Sequence, residues 1–199
     1  MHTVKRLRKP WWVSKSKALL QQYAETHGGI YVPASFKGWK YTGQHVRKEL
    51  NQGIGALHVT LVDSGSDSSK PWSAAVKFSF VPRRKLEFYL KRSRHPLALP
   101  FHPELRPASL PHSAMNKAYH AKATHPGLLR LILKQEGLYE ALELLPGAYV
   151  KLGLKGNRAV LTISARSKKP DLGFLEAGVK VAVHFIDALH EHGFVREKA

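Results

Sequence analysis

Cysteine is absent from the 199 residues. That excludes disulfides, a thiolate zinc site and a thiol nucleophile. Acidic residues are scarce, with 14 Asp and Glu against 32 Lys and Arg for a net charge of +18. Two-metal phosphodiester hydrolysis needs several converging carboxylates, and so few acids make that chemistry hard to assemble. No uninterrupted apolar run reaches the ~18 residues of a membrane-spanning helix. The basic start at 5–9 is followed by no apolar stretch or small-residue cleavage pattern, so no secretory signal is expected and the default location is cytoplasmic. A G-x-S-x-G elbow, an H-E-x-x-H pair and a P-loop are also missing. The Gly-Ile-Gly at 53–55 precedes a strand instead of following one, unlike a dinucleotide fingerprint. No cofactor, metal site or catalytic residue is expected.

What is present is enough apolar material to fold, 43% hydrophobic and 10% aromatic, and an uneven positive charge. Residues 1–94 hold 18 cations and 5 anions, and residues 95–199 hold 14 and 9. Such a skew points to a polyanionic partner, either nucleic acid or an anionic membrane surface.

Residues 1–13 read as a basic arm in which Pro10 interrupts any helix. The rest, 14–199, reads as a single α+β domain, with halves 14–91 and 117–199 joined by a proline-rich loop at 92–116. Ser14 or Ser16 caps a first helix that ends near Gly28. A short strand at 30–32 and a short helix near 44–50 follow. Three strands then alternate: Leu57, Val59 and Leu61 against His58, Thr60 and Val62; Val76, Phe78 and Phe80 against Ala75, Lys77 and Ser79; and Leu86, Phe88 and Leu90 against Glu87, Tyr89 and Lys91. Period-two alternation marks an antiparallel sheet with one buried and one wet face.

The loop at 92–116 contains five of the twelve prolines, a density that excludes a central strand or a long helix. Its Leu97, Leu99, Phe101, Leu105 and Leu110 favour a packed loop over a free tether. Further on, KAYHAKAT reads as a strand, and HPGLLRLILKQEGLYEALELLPG as one helix broken near Gly137 or two short ones. AYVKLGLKGNRAVLTIS reads as a hairpin turning at Gly156-Asn157. Asp171 caps a last helix whose Leu175, Val179, Ala182, Ile186 and Leu189 form one apolar stripe, and Gly193 ends it. Strands and helices are partly segregated, which predicts an α+β fold with a mainly antiparallel sheet backed by helices.

The stretch from NKAYHAKATHPGLLRLILKQ through LPGAYVKLGLKGNRAVLTIS to the last helix resembles a loose set of uncharacterised bacterial proteins with the same order of strand, helical pair, hairpin and closing helix. The resemblance covers 117–199 and lies in apolar core positions and turn glycines. It implies a structural unit and transfers no functional residue.

Among polar clusters, Glu136, Glu140 and Glu143 have the spacing of a solvated helix flank, and Asp63 and Asp67 sit on a serine-rich loop. His184, Asp187 and Glu191 share a helix face with Lys180, the pattern of an exposed polar face; grouping with the proline-rich loop would argue for an enzyme instead. The basic clusters carry more. They comprise Lys5, Arg6, Arg8 and Lys9; Lys37 and Lys40; Arg47 and Lys48; Arg83, Arg84 and Lys85; and Lys91, Arg92 and Arg94. Trp11, Trp12, Phe36, Trp39, Tyr41 and Tyr89 are interleaved with them. Cations neutralise phosphates while flat rings offer bases a stacking surface. The expectation is non-catalytic DNA or RNA binding through phosphates, with some stacking. A peripheral membrane or other anionic-polymer binder, or an enzyme with an unrecognised site, is the alternative. Oligomeric state is not legible.

Overall fold

The computed structural model describes residues 14–50, 54–62, 71–92, 104–145 and 147–196. The expectations for Lys5, Arg6, Arg8, Lys9, Trp11, Trp12, Arg94, Leu97, Leu99 and Phe101 lie outside the described residues.

Ser14 starts helix α1 (Lys15–His27) as expected, its hydroxyl accepting the Lys17 N–H. Strand β1 (Ile30–Val32) follows, then β2 (Ser35–Lys37), β3 (Lys40–Thr42) and β4 (His45–Glu49). The helix expected near 44–50 is therefore a strand. Its Arg-Lys-Glu run favours helix locally, but pairing on both sides, Val46 against Tyr31 and Val59, overrides that preference.

Strands β5 (Ala56–Val62), β6 (Trp72–Phe80) and β7 (Phe88–Arg92) follow with the expected alternation. Tyr89 departs from it, being only 4% exposed although it belongs to the polar set. The proline-rich segment contributes the two-residue edge strand β8 (Arg106–Pro107) and the start of α2 (Ser113–Ala118). Both fit proline chemistry, since an edge strand tolerates Pro107 and α2 begins only after Pro111. Leu110 is buried and its backbone N–H and carbonyl bond the Asn116 side-chain amide, both at 2.8 Å, so this part of the segment is packed.

The second half adds β9 (Tyr119–Ala123), α3 (Pro126–Ile132), α4 (Leu138–Glu143), β10 (Tyr149–Lys155), β11 (Arg158–Ser167) and α5 (Leu172–Glu191). Gly137, with φ +74°, separates the two short helices. Gly156, with φ +61°, turns the hairpin and sets Lys155 opposite Arg158. Asp171 caps α5 by accepting the Phe174 N–H at 2.8 Å.

The fold is α+β. One antiparallel sheet of nine strands, in the order β1-β4-β5-β6-β11-β10-β7-β9-β8, draws strands from both halves. Helices cover one face, where Val59, Val76, Phe78, Leu161, Ile163, Leu152 and Leu90 meet the α5 stripe. The buried Tyr23 hydroxyl donates to Glu176 at 2.7 Å and ties α1 to α5. No helix among the described residues is long and apolar enough to cross a membrane.

Candidate nucleic-acid interface

With the helices on one face, every second side chain of the sheet turns to the other. Strand register lines these up in transverse rows. Arg47, His58, Lys77, Thr162, Lys151, Tyr89 and Lys122 stand opposite one another in turn across β4, β5, β6, β11, β10, β7 and β9. The next row runs Thr60, Ala75, Ser164, Tyr149, Lys91 and His120. Neighbouring strands lie about 4.8 Å apart, so Arg47, Lys77, Lys151 and Lys122, on alternate strands, recur roughly every 9.5 Å. Carboxylates are few among the described residues of this face, and two of them are engaged. Glu49 binds Arg47 at 2.6 Å, and Glu87 accepts the Leu154 N–H at 3.1 Å.

An aromatic hairpin stands at one edge of this platform. Strands β2 and β3 pair only with each other, Lys37 opposite Lys40, around a tip of Gly38 (φ +58°) and Trp39. Trp39 is fully exposed, and Phe36 and Tyr41 pack with centroids 4.8 Å apart and planes tilted at 45° while remaining largely in solvent. The root of the hairpin is clamped. Tyr31 donates to Gln44 and Gln44 donates to Ser16 of α1, each at 2.8 Å. Three aromatic rings and two lysines thus project from a fixed base and contribute nothing to the core.

The expected site residues divide accordingly. Lys37, Trp39 and Lys40 share the hairpin; Arg47 and Lys91 share the open face. Arg83, Arg84 and Lys85 are exposed on the β6–β7 connection. Two others lie off the open face. Lys48, adjacent to Arg47, turns to the helical side and lines a cleft with Val183, Ile186 and Asp187. Arg92 also turns that way, 3.7 Å from Glu143 and over the Tyr119 ring at 5.9 Å. Burial, then the Glu143 carboxylate, pushes the Tyr119 hydroxyl pKa up. Tyr89 is a third case. It shares a recess with Glu104, Leu105 and Tyr149, so its ring offers no stacking surface.

Lys77, Lys122, Lys151, Arg158 and Arg166 also stand on the open face and were not among the expected site residues. Their signal was present as the cationic positions of alternating strands, but no run of neighbouring charge marked them. His58 sits among them 5.0 Å from the His45 ring. Burial first, then His45 and the Arg47 charge, lower its pKa. Asp187 faces Lys48 and Ile54 in its cleft, and burial raises its pKa. No residue described from the proline-rich segment lines that cleft, and no three His, Asp or Glu among the described residues are placed to hold a metal.

Compared with protein-family models, curated proteins and solved structures, the chain matches none.

Proposed function

We propose that this protein binds nucleic acid without catalysis, its open sheet face engaging phosphates and the β2–β3 hairpin stacking on bases. The observation that carries the reading is the cationic row Arg47–Lys77–Lys151–Lys122 on a face that no helix among the described residues covers. Phosphate contacts need positive charge at intervals and carry no sequence information, so binding is expected to be largely indifferent to sequence. Trp39 adds a ring for any base, favouring single strands, whose bases are accessible.

The exposed Phe36, Trp39 and Tyr41, interleaved with Lys37 and Lys40, also favour a second reading, an anionic membrane surface, where aromatic tips sit at headgroup depth. One experiment separates them. Fluorescence anisotropy with labelled single- and double-stranded oligonucleotides at low salt is set beside cosedimentation with phosphatidylserine vesicles. Oligonucleotide binding that weakens with salt, without vesicle binding, supports the first reading. Vesicle binding alone replaces it with the second.

A further inference from the structure

At one end of the open face the sheet narrows into a cleft of about 330 Å³ where Arg47 of β4, His58 of β5, Arg158 of β11 and Arg196 of the closing segment converge. We propose that this cleft seats a doubly charged phosphate, the terminal phosphate of a nucleic-acid strand lying on the platform. The proposal rests on the nucleic-acid reading and specifies what that site prefers.

The arginines come from distant parts of the chain; side-chain contacts hold Arg47 and Arg158, and backbone bonds place Arg196. Arg158 donates through Nε to the Ser79 hydroxyl at 2.9 Å and through Nη2 to the Ser79 carbonyl at 3.3 Å. A guanidinium has five N–H donors, so this orients the plane while leaving others for a ligand. Arg196 is brought in by backbone bonds: its N–H donates to Val81 at 3.1 Å, Val195 bridges Pro82, and the Arg83 N–H donates to Phe194 at 2.9 Å. No carboxylate lines the cleft; Glu49 lies beside it, bound to Arg47. Lys155 of the hairpin end, and Arg83, Arg84 and Lys85 of the β6–β7 connection, add cations around this end of the sheet.

Three guanidiniums, one of them paired with Glu49, leave about two net charges, more than an internal phosphodiester asks for with one charge and two free oxygens. A phosphomonoester offers two charges and three free oxygens, matching planar bidentate donors. The volume lies at the low end of the ~300–1,000 Å³ typical of ligand sites, suited to a phosphate and its sugar. Position agrees as well, because Arg47 and His58, at the β4 end of the transverse cationic row, also line the cleft, so a strand tracking that row reaches it.

The test uses one labelled oligonucleotide in three forms: 5′-phosphorylated, 3′-phosphorylated and hydroxyl at both ends. Wild-type protein is expected to bind one phosphorylated form about tenfold more tightly than the hydroxyl form, and which one assigns strand polarity. In the double variant Arg158→Gln, Arg196→Gln the preference should vanish, all three forms binding that variant with equal affinity. Inorganic pyrophosphate should compete for the preferred form in wild type. Equal binding of all three forms overturns the cleft proposal while leaving the nucleic-acid reading standing. A preference that survives in the double variant also overturns it, by placing the phosphate elsewhere. Binding of no form at low salt overturns both.

Discussion

Replacing Lys77 and Lys122 together by glutamine separates a specific face from net charge. Both side chains are exposed on the open face, and neither belongs to the core. The melting temperature should therefore move little, since surface substitutions of this kind stay within ~0.5 kcal/mol each. The companion variant Lys134→Gln, Lys180→Gln removes the same charge from exposed positions on the helical side, after α3 and on α5. If five phosphates are neutralised, log affinity for a single strand falls with log salt at a slope near −3.5, and for duplex near −4.5. Losing two contacts should bring those slopes to about −2.1 and −2.7. The helical-side pair should leave them where they were, because charges beyond a Debye length of roughly 8–10 Å are screened. Anisotropy titrations at four or five salt concentrations read the slopes directly. Equal flattening by the two variants would refute the reasoning, showing that diffuse charge and not the sheet face holds the ligand.

Trp39→Ala should leave stability unchanged and weaken single-strand binding by about 1–3 kcal/mol with little effect on duplex; a lowered melting temperature would contradict the hairpin's independence from the core. Burial first, then the neighbouring His45 and Arg47 and also Lys77, lower the His58 pKa, with Glu49 opposing. A phosphate beside it favours the protonated ring and raises that pKa, so binding takes up protons and affinity should rise as pH falls through the histidine range, by at most about tenfold per unit per proton; calorimetry in buffers of different ionisation enthalpy measures the uptake, and His58→Gln should abolish this component. Leu161→Ala, in the centre of the sheet, should cost about 2–5 kcal/mol, whereas Lys155→Ala at the exposed turn should cost under about 0.5 by denaturant titration. Gly137→Ala should destabilise by about 1–2 kcal/mol, combining left-handed strain with a Cβ placed 2.8 Å from His184 Cε1.

Most of the fold was legible because its signals are periodic. The alternation through β5, β6 and β11 and the apolar stripe on α5 follow directly from which side chains must leave water. The exception at 45–49 is instructive. Polar residues dominate that segment, so its state is decided by the strands that flank it, and nothing within five residues announces them. The small edge hairpin β2–β3 escaped notice for a related reason: its exposed aromatic rings follow no core-facing pattern.

The candidate site was half legible, and the reason is geometric. A run of cations in sequence looks like a patch, but in a strand neighbours point to opposite faces. Arg47 and Lys91 therefore reach the open face while Lys48 and Arg92 are spent on the helical side, Arg92 against Glu143. The reverse holds for Lys77, Lys151 and Lys122. They lie tens of residues apart, each alone among polar or apolar neighbours, and only the pairing of β6 with β11, β11 with β10, β10 with β7 and β7 with β9 brings them into one row. A charged surface built on a sheet is thus written in strand register instead of local composition. For a basic antiparallel protein, cations at alternate strand positions are better candidates than contiguous runs, and the paired lysine variants test that distinction here.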